Sequence, residues 1–313
     1  MTVYNKAAVG RAAKEKGFPR DTFEKVLRLK EVLAFINSDD FLRKHLVLKG
    51  GTAINMTVFA LPRLSVDIDM DYMPNDDREN MQVAREKITE IIKAYMLQEG
   101  YSLSPSSRFG FSLDAFYFQS VNAGGNRDVL KIELNYSLRA HIFEPVRREV
   151  LTDIFDDTFA VLTLDPIEIF AAKANALMSR AAARDLYDFN NMIENRLFSD
   201  ETRERFRKSI IFYNTISQET VNKTFDTSAI DKLSFSKIRR DLFPVLKKKD
   251  NFDLEGRKEE AKKYIQDLMQ VTDDEMKYMT SFENKDYRPE LLFSQSDIIE
   301  RIKHHPMAIW KCR

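Results

Sequence analysis

From Val66 to Tyr72 the chain reads apolar, Asp, apolar, Asp, apolar, Asp, apolar. Strict alternation of this kind predicts a β-strand with one buried face. Asp67, Asp69 and Asp71 then share the other face. Like charges side by side on a strand repel and add nothing to stability, so the pattern points to a cation held there.

The stretch before this strand constrains the same region. "HLVLKGG" is a short apolar run stopped by two glycines, which predicts a strand leading into a helix that starts near Thr52. A glycine pair at such a junction lets backbone N–H groups approach a phosphate, with the positive end of the helix dipole beneath it. Gly50 and Gly51 occupy that position, with Thr52 as a hydroxyl donor, although such a pair is also an ordinary helix start. Asp67 and Asp69 point the same way about 7 Å apart, by the rise per residue. That separation suits Mg²⁺, which binds through one or two carboxylates together with substrate phosphates. The competing reading is an exposed edge strand guarded by acids. In "LKIELNY", Leu130, Ile132, Leu134 and Tyr136 alternate with Lys131, Glu133 and Asn135. Glu133 then lies on the polar face of a neighbouring strand, either as a third metal-holding or proton-accepting carboxylate of a two-metal phosphoryl-transfer site or as a solvated strand residue.

Composition narrows the class without deciding it. In 313 residues, 49 Lys and Arg balance 49 Asp and Glu, so global charge argues neither for nor against a polyanionic partner. Locally, residues 51–130 carry 11 acidic against 7 basic groups, around the aspartate strand. The single cysteine, Cys312, has no internal disulfide partner, and the four histidines lack spacing such as HExxH, so no zinc site is expected. No apolar leader and no membrane-spanning run of about 18 residues is found, which makes a cytoplasmic protein the expectation.

Along the chain, residues 21–38 predict an amphipathic helix capped by Asp21, with Phe23, Val26, Leu27, Leu33 and Ala34 on one face. A second capped helix runs from about Asn75 to Gly100. Strands follow at 110–118, 129–137 and 158–164, with "AGGNRD" as a hairpin turn between the first two. From Asp165 the texture is helical: Asp165 at an N-cap, Pro166 at the first helical position and Glu168 closing a capping box. This divides the chain at 1–165 and 166–313. On the helices, Lys173 and Arg180 lie two turns apart on one face. Asp185 and Asp188 follow on the next helix, where Arg184 can pair with Asp188. A lysine aimed at a nucleotide phosphate and held by an acid fits this pattern, as does an ordinary surface salt bridge.

Taken in order, these motifs resemble the nucleotidyltransferase-fold toxins of the AbiEii/MenT type, with their GG-[ST] turn followed by R-x-S-x-D-x-D. Here the residues are Gly50, Gly51 and Thr52, then Arg63, Ser65, Asp67 and Asp69. The later lysine helix and R-D-x-x-D helix are matched by Lys173 and by Arg184, Asp185 and Asp188. The resemblance spans roughly residues 45–195. It implies an α+β fold: a polymerase-β-like nucleotidyltransferase core with a mixed sheet, followed by a mainly α-helical C-terminal domain. It also implies Mg²⁺-dependent use of a nucleoside triphosphate by the toxin of a type IV toxin–antitoxin or phage-abortive pair, with a cognate antitoxin. Some members transfer nucleotides to tRNA acceptor ends. By the same carry-over Asp67 and Asp69 hold metal, Gly50, Gly51 and Ser65 lie by the triphosphate, and Lys173 contacts nucleotide phosphate. Asp185 or Asp188 is the late functional acid. Asp71 is an extra acid for which the pattern supplies no role.

The leading expectation is transfer of an NMP from an NTP to an RNA hydroxyl, with the nucleotidyltransferase-like part at 1–165. The part at 166–313 would complete the active site and grip the acceptor. Basic clusters at Lys237–Arg239–Arg240, Lys247–Lys248–Lys249 and Lys262–Lys263 would contact RNA phosphates. Against this, residues 201–313 hold 23 basic and 20 acidic groups. The alternatives are an NTP-binding regulator without turnover and a transferase acting on a small-molecule or protein hydroxyl.

Overall fold

Alternating apolar residues build one mixed sheet, and the aspartate strand lies inside it. A computed structural model describes residues 4–155, 158–248 and 250–313. Its strands are β1 (Leu46–Lys49), β2 (Asp67–Tyr72), β3 (Ser102–Leu103), β4 (Arg108–Phe109), β5 (Leu113–Val121), β6 (Arg127–Asn135), β7 (Val146–Glu149) and β8 (Ala160–Thr163). They run in the order β3-β5-β6-β2-β1-β8-β7, with β4 paired to β5. β2 is antiparallel to β1 and parallel to β6. Its acids therefore do not guard an edge, and the edge-strand reading fails. Ile68, Met70 and Tyr72 point into the core, as do Leu130, Ile132 and Leu134 of β6. The short strands β3, β4 and β7 carry no clear alternation in the sequence. β7, "VRRE", has no buried residue and forms only because β8 pairs with it.

The chain separates into two compact units. The first holds the sheet and comprises residues 1–139, 145–164 and 244–250; the second is helical and comprises 140–144, 165–243 and 251–313. The two exchanged segments are held by specific bonds. Leu64 N donates to Val245 O at 2.8 Å and Lys248 N to Gly17 O at 2.9 Å, which pins 244–250 in the sheet unit. In the helical unit Glu168 accepts from Ile142 N at 2.9 Å and Phe143 N at 3.3 Å. Glu168 also accepts from the Tyr213 hydroxyl and is 1% exposed. Asp165 does cap the helix Pro166–Ser179, accepting from Ile167 N at 2.8 Å. The expected capping box does not form, because Glu168 turns inward to fasten 140–144.

In the sheet unit the helix Arg20–Ser38 begins after Pro19, and Asp21 sits in its first turn rather than at the cap. Beside its expected apolar face it buries an ion pair. Glu24, fully buried, accepts from Arg28 Nε at 2.9 Å and from Ala123 N, also at 2.9 Å, in the turn between β5 and β6. Removing one partner of a buried, hydrogen-bonded pair strands the other's charge and costs about 3–5 kcal/mol. Glu24→Ala is therefore expected to lower unfolding free energy by about that amount in denaturant titration. A loss below about 1 kcal/mol would show that the pair does not tie helix to hairpin.

Candidate active site

The site in the sheet unit is built by pairing β1 with β2. The register sets Lys49 opposite Asp69 and Val47 opposite Asp71. The chain leaves β1 at Gly50, whose φ of +68° lies in the left-handed region that side chains disfavour. A Cβ placed on Gly50 would lie 2.7 Å from Asp69 Oδ2, and one on Gly51 would lie 2.8 Å from Arg63 Nη2. Glycine at both positions lets the turn lie directly against a carboxylate and a guanidinium.

The GG-T and R-x-S segments hold each other. Thr52, fully buried, donates its hydroxyl to Ser65 Oγ at 2.9 Å and to the Asp67 carbonyl. Arg63, 2% exposed, donates to Leu64 O at 2.9 Å. Thr52, Arg63 and Ser65 thus brace the turn from beneath. The expectation that Thr52 offers its hydroxyl to a phosphate does not fit its complete burial.

Three acids share one electrostatic field. Asp67 and Asp69 are half-buried, and Asp69 pairs in register with Glu133 on β6. Burial pushes the Asp69 carboxyl up to about 6; Lys49 opposes this rise, while Asp67 and Glu133 add to it. Glu133 is ion-paired with Lys131 at 2.8 Å. Burial depresses the Lys131 ammonium, but the bond to Glu133 and the fields of Asp67 and Asp69 outweigh it and leave its pKa raised. Among the described residues no group of three or more His, Cys, Asp or Glu is placed to hold a metal ion. Glu133, expected as a third metal ligand or as the base, stands opposite Asp69 in the strand register. The pair Asp67–Asp69 does fit Mg²⁺, whose other ligands come from substrate phosphates and water.

Asp71 now has a role. It is 2% exposed, and Lys49 Nζ lies 2.5 Å from its Oδ1. The third aspartate orients the lysine beside Asp69. Sequence reasoning passed over Lys49, although it directly precedes the glycine pair on a strand that must neighbour the acids.

A second ion group lies in the helical unit. Lys173 Nζ is 2.9 Å from Asp185 Oδ1 and 2.8 Å from Asp188 Oδ2, and all three side chains are buried. Lys173 meets both Asp185 and Asp188, which share the lysine. Arg180 stands 3.7 Å from Asp185 but is mostly exposed. Arg184 Nε donates to Asp241 O at 2.9 Å. Of the basic clusters, Arg240 pairs with Asp241, and Lys262 with Asp231 and Glu259. Lys249 lies outside the described residues.

A family model described as nucleotidyl transferase AbiEii toxin, type IV toxin–antitoxin system, matches residues 32–285. No curated protein matches the chain. Among solved structures, MenT4, a nucleotidyltransferase toxin from Mycobacterium tuberculosis H37Rv, is similar over 98% of this chain and 99% of its own, with a TM-score of 0.66. At 14% identity that likeness is one of fold.

A carboxyl whose pKa is raised by folding favours the folded state below its unfolded value and loses that contribution as pH rises through its folded value. The window for Asp69 is therefore about pH 4 to 6. Without added metal, Asp69→Asn is expected to stabilise the protein above pH 7 by on the order of 2–3 kcal/mol, with little effect near pH 4. Equal effects at both pH values in urea unfolding would contradict this. Lys173→Met strands two buried carboxylates and is expected to cost about 3–5 kcal/mol at neutral pH. Adding Asp185→Asn and Asp188→Asn should recover most of the loss. Failure to recover would mean that lost packing, not stranded charge, is the cause.

Proposed function

The chain belongs to the AbiEii family of nucleotidyltransferase toxins of type IV toxin–antitoxin systems, and from that membership we propose that it transfers an NMP from an NTP to the 3′ end of a tRNA. As a nucleotidyltransferase it uses a nucleoside triphosphate, and as a toxin of this class it has an antitoxin partner. Its fold is α+β, with a polymerase-β-like core and a mainly helical remainder. Among the described residues no helix is long and apolar enough to cross a membrane.

One observation carries the mechanistic reading: the left-handed Gly50 turn lies against the Asp69 carboxylate, with no room for a Cβ between them. That contact supports a reading in which the backbone turn approaches a phosphate beside the Asp69 carboxylate. The reading assigns Asp67 and Asp69 to hold Mg²⁺, which would neutralise charge developing on the triphosphate. Gly50 and Gly51 offer backbone N–H groups to phosphate oxygens, while Thr52, Arg63 and Ser65 fix the turn. Lys49 favours ionised Asp69, the form able to hold a cation. In the transfer, the acceptor hydroxyl oxygen bonds to the α-phosphorus and the bond to pyrophosphate breaks. Glu133, the third carboxylate of the same field, takes the hydroxyl proton. In the helical unit Lys173, Asp185 and Asp188 act as one ion group whose geometry fixes the lysine.

The test supplies each labelled NTP in turn with Mg²⁺ and total tRNA. Label is expected to move to tRNA, and to be lost with chelator and in Asp67→Ala/Asp69→Ala. Transfer that survives the double substitution would overturn the assignment of the acids. Pyrophosphate release with no label on RNA would overturn the acceptor.

A further inference from the structure

We propose that one face of the sheet unit, formed by residues 108–113 along the helix Arg78–Gln98, binds single-stranded RNA and is where the acceptor is gripped. The proposal rests on the RNA-acceptor reading above. Two phenyl rings stand out from this face: Phe111 is 78% exposed and Phe109 49%. The segment bearing them is nonetheless fixed. Arg85 donates to Gly110 O at 2.6 Å, to Phe111 O at 3.1 Å and to Asp114 Oδ2 at 2.8 Å, and Asp114 is 1% exposed. β4 pairs in register with β5, Phe109 opposite Asp114. Exposed aromatic rings on a braced segment are stacking surfaces rather than the residue of a frayed loop.

Each ring also carries a cation. The Arg78 guanidinium lies 5.2 Å from the Phe111 centroid, and Lys93 Nζ 4.8 Å from that of Phe109. At about 100° per residue, Arg78, Gln82, Arg85, Thr89 and Lys93 form one stripe of the helix, and Glu79, Glu86 and Glu90 fall beside it. Among the described residues Arg78, Lys93 and the exposed Arg108 have no carboxylate partner, unlike Arg240 and Lys262 of the helical unit. Unpaired cations set against exposed aromatic faces are what a sequence-tolerant single-strand site needs, one part for phosphates and one for bases. A protein-binding patch would instead be depleted of lysine at its centre.

The test measures tRNA binding by the full chain across a salt series, beside label transfer. Phe109→Ala/Phe111→Ala is expected to weaken binding tenfold or more while keeping the salt slope. Arg78→Gln/Lys93→Gln is expected to weaken binding and reduce the slope by roughly 1.4, two single-strand phosphate contacts. The thermal midpoint of each variant checks the fold. Wild-type affinity in both variants, with transfer to tRNA intact, would overturn this face and leave the acceptor reading standing. No RNA binding or transfer by the wild type would overturn both.

Discussion

The contact between the Gly50 turn and Asp69 is the constraint on which the rest of the site depends. β1 must run antiparallel to β2 in the register that sets Lys49 opposite Asp69, and the chain must then leave β1 through a left-handed residue. Any side chain at Gly50 would meet the Asp69 carboxylate. The buried bonds from Thr52 to Ser65 and to the Asp67 carbonyl lock the turn to the start of β2. Arg63 fills the space under Gly51. A glycine pair, a threonine, an arginine and a serine thus serve one end, which is to hold the turn against the Asp69 carboxylate.

Charge is managed differently in the two units. Around β2, Lys49 is ion-paired with Asp71 and Lys131 with Glu133. Asp67 and Asp69 remain in each other's field, which together with burial keeps Asp69 reluctant to ionise. On the proposed reading, an added cation would relieve the repulsion between Asp69 and its acidic neighbours. In the helical unit Lys173 sits between two buried carboxylates. Its geometry is fixed by attraction from both sides, so the group is rigid where the sheet site is poised.

Much of this was legible in the sequence, and for physical reasons. Alternation in "VDIDMDY" and "VLKIELNYS" set both strands and their faces, and the order of acids, glycines and lysine helix pointed to the family. The less legible parts depend on neighbours distant in sequence. Glu168 looked like half of a capping box and instead binds the backbone of 142 and 143. Arg184 reaches the carbonyl of Asp241, a bond that no local pattern announces. Asp71 gained its partner only through the register of β1. Strand β7 has too little apolar pattern to announce itself.

Asp69 is proposed to hold a cation, and to do so its carboxyl must lose its proton. Calorimetry of Mg²⁺ binding to the protein without nucleotide, in buffers of different ionisation enthalpy, measures that proton directly. Proton release is expected near pH 6, falling away above pH 8, and absent in Asp69→Asn together with most of the affinity. Metal binding with no proton release near pH 6, or undiminished in Asp69→Asn, would contradict the account.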